Sequence, residues 1–311
     1  SLDLVSQEGA YAFYKDSAFY DIYLDAYNGS KNPLWLRNCA ICNLTEGLYN
    51  EASLLNPSAY SDVDDAYFWA MALYDAGKYF YSVNAIDVAK RYLNDYSNKT
   101  SFKTSYVQLA ALESDAYMAN SDFESAEAAR HTVVLNMDSV ATKKADEELL
   151  PVILVNSAIY AGNQGQDDHC ADLLFYIVNR WPDFVPALIL YSDFAYKSNK
   201  ERQEDTEIAA LRKAGVKTLE MERYDNRRKI PLSDAKYRID ESLKRKADPY
   251  LSIARMDLRY KTDVSLNEKD KNRDLWNLLE DNYVEGEKYH MLLVQYAVNF
   301  LLITKQYDDA W

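Results

Sequence analysis

GKYFYSVNAIDVAKRYLNDY, residues 77–96, decides the fold. It opens on a glycine, sets an aromatic two residues later at Tyr79 and a small residue five later at Ser82, and then repeats apolar side chains every three or four positions. That is a turn followed by an amphipathic helix. The residues just before it, DDAYFWAMALYDA, carry the same helical period, so Gly77 joins two helices.

Moving outward, the pattern returns at Ser121 and at Gly165, each 44 residues after the last. Two residues past the turns stand Tyr79, Phe123 and Asp167. Five past stand Ser82, Ala126 and Cys170, and seven before stand Ala70, Ser114 and Ala158, all small. Twelve past, Ala89, Val133 and Ile177 are apolar. Small residues at fixed places let two helices approach, and larger ones between them fill the gaps. A helix–turn–helix unit repeated along a chain predicts stacked hairpins.

The remaining elements follow from caps and breakers. A first helix is expected over LVSQEGAYAFYKDSAFYDIYLDAY, stopped by Asn28-Gly29. Asn32 should cap a second, with Pro33 at its first position, running to Asn56-Pro57. Ser61 should cap the third. Later helices are expected over VQLAALESDAYMA, FESAEAARHTVVL, LPVILVNSAIYA and HCADLLFYIVNRW. Gly215 should end a further helix in a left-handed cap. The polar stretch ERYDNRRKIPL is the candidate boundary between residues 1–220 and a less regular helical continuation over 221–311. Ser233 and Asp248-Pro249 mark helix starts, and DLWNLLED and EKYHMLLVQYAVNFLLITK are further helices. The terminal KQYDDAW, residues 305–311, reads as a turn and one turn of a second helix, a repeat cut short. No run alternates with period two.

These features resemble the tetratricopeptide repeat, chiefly in GKYFYSVNAIDVAKRYLNDY, NSDFESAEAARHTVV, ASLLNP and IVNRWP. The resemblance covers about residues 30–200. The period of 44 departs from the family's 34, the tryptophan–leucine–glycine run is missing, and Asp167 stands where an aromatic belongs. It implies an all-α fold, an α-solenoid or right-handed superhelix of antiparallel helix pairs. It also implies a concave groove lined by the first helices of successive pairs. On this chain that groove would present Tyr67, Met71, Tyr74, Asp75, Asp115, Met118, Asp193 and Tyr196. Tyr67 and Met71 stand where one subtype of the family grips a terminal carboxylate with lysine and asparagine, so no such clamp is expected, and basic or apolar partners are.

Composition agrees with helices. Eight Gly and seven Pro among 311 residues are too few for the turns of an all-β protein, and 48% hydrophobic residues can bury a core. The 27 tyrosines suit half-buried helix faces and contact surfaces alike. Residues 1–150 hold 11 Lys/Arg against 22 Asp/Glu, a net of −11, which repels nucleic acid and anionic lipid. Residues 196–275 hold 21 against 16, a net of +5. The basic cluster Arg223, Arg227, Arg228, Lys229, Lys236, Arg238, Lys244, Arg245 and Lys246 lies there, interleaved with carboxylates as on a solvated face. It could also meet an acidic partner or a phosphate. No apolar run is long enough to cross a membrane.

Residue types argue against several chemistries. Cys39-Ala-Ile-Cys42 is a C-x-x-C, but it lies inside a helix with no preceding strand, so two small apolar residues in a helix seam are expected rather than a redox pair. With Cys170 the chain has three cysteines, too few for a disulfide framework. His131, His169 and His290 are scattered. No nucleophile elbow, zinc-protease, dinucleotide or phosphate-loop motif occurs. SDVDDAY and GQDDHCADLL lack calcium-loop spacing and suit helix starts. Asn43 and Asn98 open glycosylation tripeptides that carry meaning only in a secreted eukaryotic chain. The expectation is a non-enzymatic interaction scaffold without cofactor or metal, binding a peptide or partner segment. The alternative is an envelope or carrier protein of a transport or outer-membrane complex that binds a small ligand, with a lipid anchor before Ser1 if the chain is bacterial.

Overall fold

The computed structural model describes residues 19–95, 102–135, 144–203, 213–215, 230–263, 265–281 and 288–303. These residues are all-helical, with consecutive helices packed in neighbouring pairs. The chain divides into two compact units, Ser1–Ile153 and Leu154–Trp311. The expected boundary at 220/221, the segment KQYDDAW and the basic residues Arg223, Arg227, Arg228 and Lys229 lie outside the described residues.

The first unit holds α1 (Tyr20–Ser30), α2 (Pro33–Thr45), α3 (Tyr49–Leu54), α4 (Val63–Asp75), α5 (Tyr79–Asp95), α6 (Tyr106–Ala119) and α7 (Phe123–Leu135). Each packs on the next, and α4 also touches α6. Helix α8 (Lys144–Asn163) contains the division between the units. The second unit continues with α9 (Asp167–Arg180), α10 (Val185–Gln203), α11 (Leu232–Arg245), α12 (Pro249–Thr262), α13 (Glu268–Asp281) and α14 (Lys288–Ile303). There α10 packs on α9, α11 and α12, and α12 on α11, α13 and α14.

The turns that define the pattern are hairpin bends. Gly77 has φ +71°, Ser121 +61° and Gly165 +71°. At each, the residue after the turn donates its N–H to the carbonyl five residues back: Lys78 to Leu73, Asp122 to Tyr117 and Gln166 to Ala161, at 2.8–2.9 Å. This closes the orphan carbonyls of the preceding helix. The small residues around them, Ala70, Ser82, Ser114, Ala126 and Ala158, are essentially fully buried, with Cys170 close behind.

Three expectations change. The second helix does not run to Asn56; Gly47, at φ +75°, breaks it into α2 and α3 with the same bond, Leu48 N–H to Asn43 O at 2.8 Å. The first helix continues through Asn28-Gly29 to Ser30, and its left-handed residue is Lys31. Asp62, not Ser61, caps α4, accepting from Asp65 N–H at 2.8 Å, while Ser61 N–H and hydroxyl donate back to the Asp65 carboxylate. A carboxylate at that cap also favours the positive helix end. Other starts agree: Asn32 accepts from Leu34 N–H at 3.1 Å, and Asp248 from Leu251 N–H at 2.9 Å with Pro249 behind it. Helix α11 begins at Leu232, one residue before Ser233, with Pro231 at its cap position. Gly215 is left-handed, at φ +74°.

In the first unit, Val63, Ala66, Ala70 and Leu73 of α4 mesh with Ala85, Ile86, Ala89 and Leu93 of α5 and with Leu109 of α6. Alanines at the contact let the helix axes close, and the branched residues fill between them. Polar contacts join successive helices: a partly buried ion pair of Lys90 with Glu113 across α5 and α6, and a buried hydrogen bond from Arg130 to the Ser114 hydroxyl across α7 and α6 at 2.7 Å.

Candidate functional site

The expected groove residues of the first unit sit on the first helices of two successive hairpins. Tyr67, Met71, Tyr74 and Asp75 lie on α4, and Asp115 and Met118 on α6. Met71 and Met118 are 41% and 43% exposed, which leaves two adaptable thioethers at the surface. Tyr67 and Tyr74 are half-buried, and Tyr74 packs against Tyr79, ring centroids 5.4 Å apart. Burial raises the Tyr67 hydroxyl above the ordinary tyrosine value, and the Asp115 charge pushes it further. The same two causes, in that order, raise Tyr74, with Tyr79 and Asp75 adding to them. The Asp115 charge is therefore felt at both tyrosine hydroxyls, across two helices that touch.

Both acids keep exposed side chains, yet surrounding protein displaces enough water to lift each carboxyl above the usual carboxylate range. At Asp115, Arg130 opposes that lift. Arg130 itself is buried and bound to Glu127 at 2.9 and 3.0 Å and to Ser114.

Asp193 and Tyr196 belong to the second unit, on α10. Asp193 lines two pockets. One, of about 290 Å³, is formed by α8, α9 and α10; the other, of about 180 Å³, lies between α10 and α12 and includes Tyr196. Lys261 sits 5.5 Å from the Tyr196 ring centre. A third, more polar cleft of about 730 Å³ runs among α11, α12 and α13. Its arginines are already paired, Arg255 with Asp240 and Arg259 with Asp274. Three described members of the basic cluster are paired too: Arg238 with Asp234, Lys244 with Glu241 and Arg245 with Asp183.

The C-x-x-C lies in the α1–α2 seam. Cys39 and Cys42 are buried against Tyr23 and Trp35, and all three cysteines are free thiols. Burial, then Cys42, pushes the Cys39 thiol up to about 12. Burial, then Asp167, pushes Cys170 up to about 11, with Lys197 opposing. Such thiols stay protonated at neutral pH and make poor nucleophiles. Asn43 is buried inside α2 and offers no accessible glycan acceptor. Among the described residues no group of three or more His, Cys, Asp or Glu is placed to hold a metal, and no helix is long and apolar enough to cross a membrane.

Sequence reasoning missed the 290 Å³ pocket. Its signal was present: Gly162 and Asp167 occupy turn-flanking positions that carry large side chains in the other hairpins.

The class defined by these features is an all-α protein of helical hairpins, compatible with a helical repeat. No protein-family model, curated protein or solved structure matches the chain.

Proposed function

We propose that this chain is a non-enzymatic interaction protein whose hairpins stack as a tetratricopeptide-like right-handed solenoid and whose first helices bind a partner segment. The segment is basic and apolar, and it lies against an acidic, tyrosine-lined face. The observation that carries this reading is the contact of α4 with α6, which sets the Asp115 charge near the Tyr67 and Tyr74 hydroxyls on helices that also expose Met71 and Met118. Stacked helices hold such side chains in place before binding, so little ordering entropy is lost. Cation–π contact and two carboxylates would select arginine or lysine next to an apolar residue.

A random-peptide display selection tests this. Peptides enriched in Arg or Lys beside Leu, Phe or Met are expected, with affinity in fluorescence anisotropy falling at least about tenfold in the Tyr74→Ala/Asp115→Lys variant. Failure to enrich any peptide, or enrichment of peptides indifferent to that double change, would sink the groove.

A further inference from the structure

The hairpins of this chain differ at one spot. Three residues before the turn and two after it stand Leu44 and Tyr49, Tyr74 and Tyr79, and Met118 and Phe123. In the Gly77 hairpin those two positions are filled by rings in contact. In the Gly165 hairpin they are Gly162 and Asp167. The side-chain volume missing there is matched by an opening: both residues line the 290 Å³ pocket. A Cβ on Gly162 would meet only the Cys170 sulfur, at 3.5 Å, an ordinary contact. Close helix approach therefore does not by itself demand glycine at this position.

The lining divides in two. The body is apolar: Ala158, Leu174, Leu190 and Phe194, with the protonated Cys170 thiol. Three charged residues also line it, Asp167, Asp193 and Lys197. Asp193 and Lys197 are four apart on α10 and so share a helix face. Both signs of charge beside a small apolar cavity discriminate among ligands. A fatty acid would meet two carboxylates. A simple amine would leave its apolar end satisfied but face Lys197 without a partner for it. A peptide chain would bring only one terminal charge and more bulk than the volume accepts. A molecule with an ammonium, a carboxylate and an apolar side chain uses every feature.

We propose that the pocket among α8, α9 and α10 binds a free α-amino acid with an apolar side chain, its ammonium at Asp193 and Asp167, its carboxylate at Lys197 and its side chain against Leu174, Leu190 and Phe194. This small-ligand site goes beyond the partner-binding reading. It lies wholly in the second unit, while the groove variants Tyr74→Ala/Asp115→Lys lie in the first, so either can fail without the other.

Calorimetric titration of the whole chain with L-leucine and L-phenylalanine is the test. Saturable binding with a Kd of about 1 mM or tighter is expected. Phenylalanine amide, which mimics a peptide N-terminus, phenethylamine and phenylpropionate should each bind at least about tenfold more weakly, since each loses one charge match. Lys197→Met should weaken phenylalanine but not phenethylamine, and Asp193→Asn should weaken phenylalanine but not phenylpropionate. Gly162→Leu should abolish binding while the unfolding midpoint is retained. If that variant misfolds, the two surface variants on α10 still decide. The proposal is overturned if neither amino acid binds, if the amide or a single-charge analogue binds as well as the zwitterion, or if Gly162→Leu folds and binds unchanged.

Discussion

The Ser82 hydroxyl of α5 donates a 2.7 Å hydrogen bond to the Ala70 carbonyl of α4. These are the two small positions that flank the Gly77 turn, and both are fully buried. The contact explains why small residues recur there: the helix backbones approach so closely that one hydroxyl spans the gap. Ser82→Leu would drive a branched side chain into that contact and should cost about 1–3 kcal/mol by overpacking. Ser82→Ala should cost about 1 kcal/mol, the worth of the hydrogen bond. Urea midpoints of the two variants measure the difference, and a Leu variant as stable as wild type would contradict the close approach.

Ser121 holds a conformation in which Gly77 and Gly165 stand at the equivalent turns. A left-handed L-residue costs about 1–2 kcal/mol, offset in part by the greater freedom glycine loses on folding, about 0.5–1 kcal/mol. Ser121→Gly should therefore stabilise the protein by about 0.5–1 kcal/mol, and Gly77→Ala should destabilise it. Thermal midpoints moving in opposite directions are the expected result.

Turn chemistry explains which parts of the fold were legible. Gly77, Ser121 and Gly165 were visible because identical marks recur at equal spacing. Gly47 carries the same marks, with Ala40 seven before, Tyr49 two after and Ala52 five after, all helical in the structure. It was missed because it precedes Gly77 by 30 residues rather than 44, and because α3 is only six residues long. An apolar period that runs across a short helix looks continuous. Ser61 and Asp62 are both good caps, and residue type alone does not choose between neighbours. At the site, the pairing of α4 with α6 followed from the repeat. The pocket did not, because a cavity is a difference between repeats, at Gly162 and Asp167, rather than a shared feature.

Asp115 and Asp75 link the face to stability. Their carboxyls are raised above the ordinary 3.8 chiefly by burial. Between 3.8 and the raised value the folded chain holds more protons than the unfolded one, so stability falls as pH rises through that window. The penalty is absent below 3.8 and complete above the raised value. Asp115→Asn should thus raise the urea midpoint at neutral pH, and the gain should shrink as pH is lowered toward 3.8. A gain that does not vary with pH would show that desolvation of the charge is not its source. The same variant should bind basic peptides more weakly, as a strained carboxylate kept for binding would.

The tie among α9, α10 and α11 supplies a sharper energetic test. Tyr191, buried in α10, donates to Asp234 Oδ2 at 2.6 Å, and Arg238 Nε donates to the same oxygen at 2.8 Å. Arg238 also reaches the Val178 carbonyl and the Asn179 side chain at the end of α9. Burial works to raise the Asp234 carboxyl, but the hydrogen bonds from Tyr191 and Arg238 outweigh it and hold the group below its ordinary value. A depressed carboxyl stabilises the fold above its unfolded value, and that contribution is lost as pH falls through the folded one. Tyr191→Phe should cost about 1.5–3 kcal/mol, because the lost bond is to a charged acceptor. Asp234→Ala should cost about 1–3 kcal/mol, since it strands a buried hydroxyl. Both variants remove the Tyr191–Asp234 bond, and Asp234→Ala removes the Arg238 pair as well, so the double variant should cost less than the sum of the two, with a coupling of about 0.5–3 kcal/mol. That coupling should weaken in acid as Asp234 is protonated. Additive costs at neutral pH would mean that the two side chains do not act together, and that packing alone holds α10 against α11.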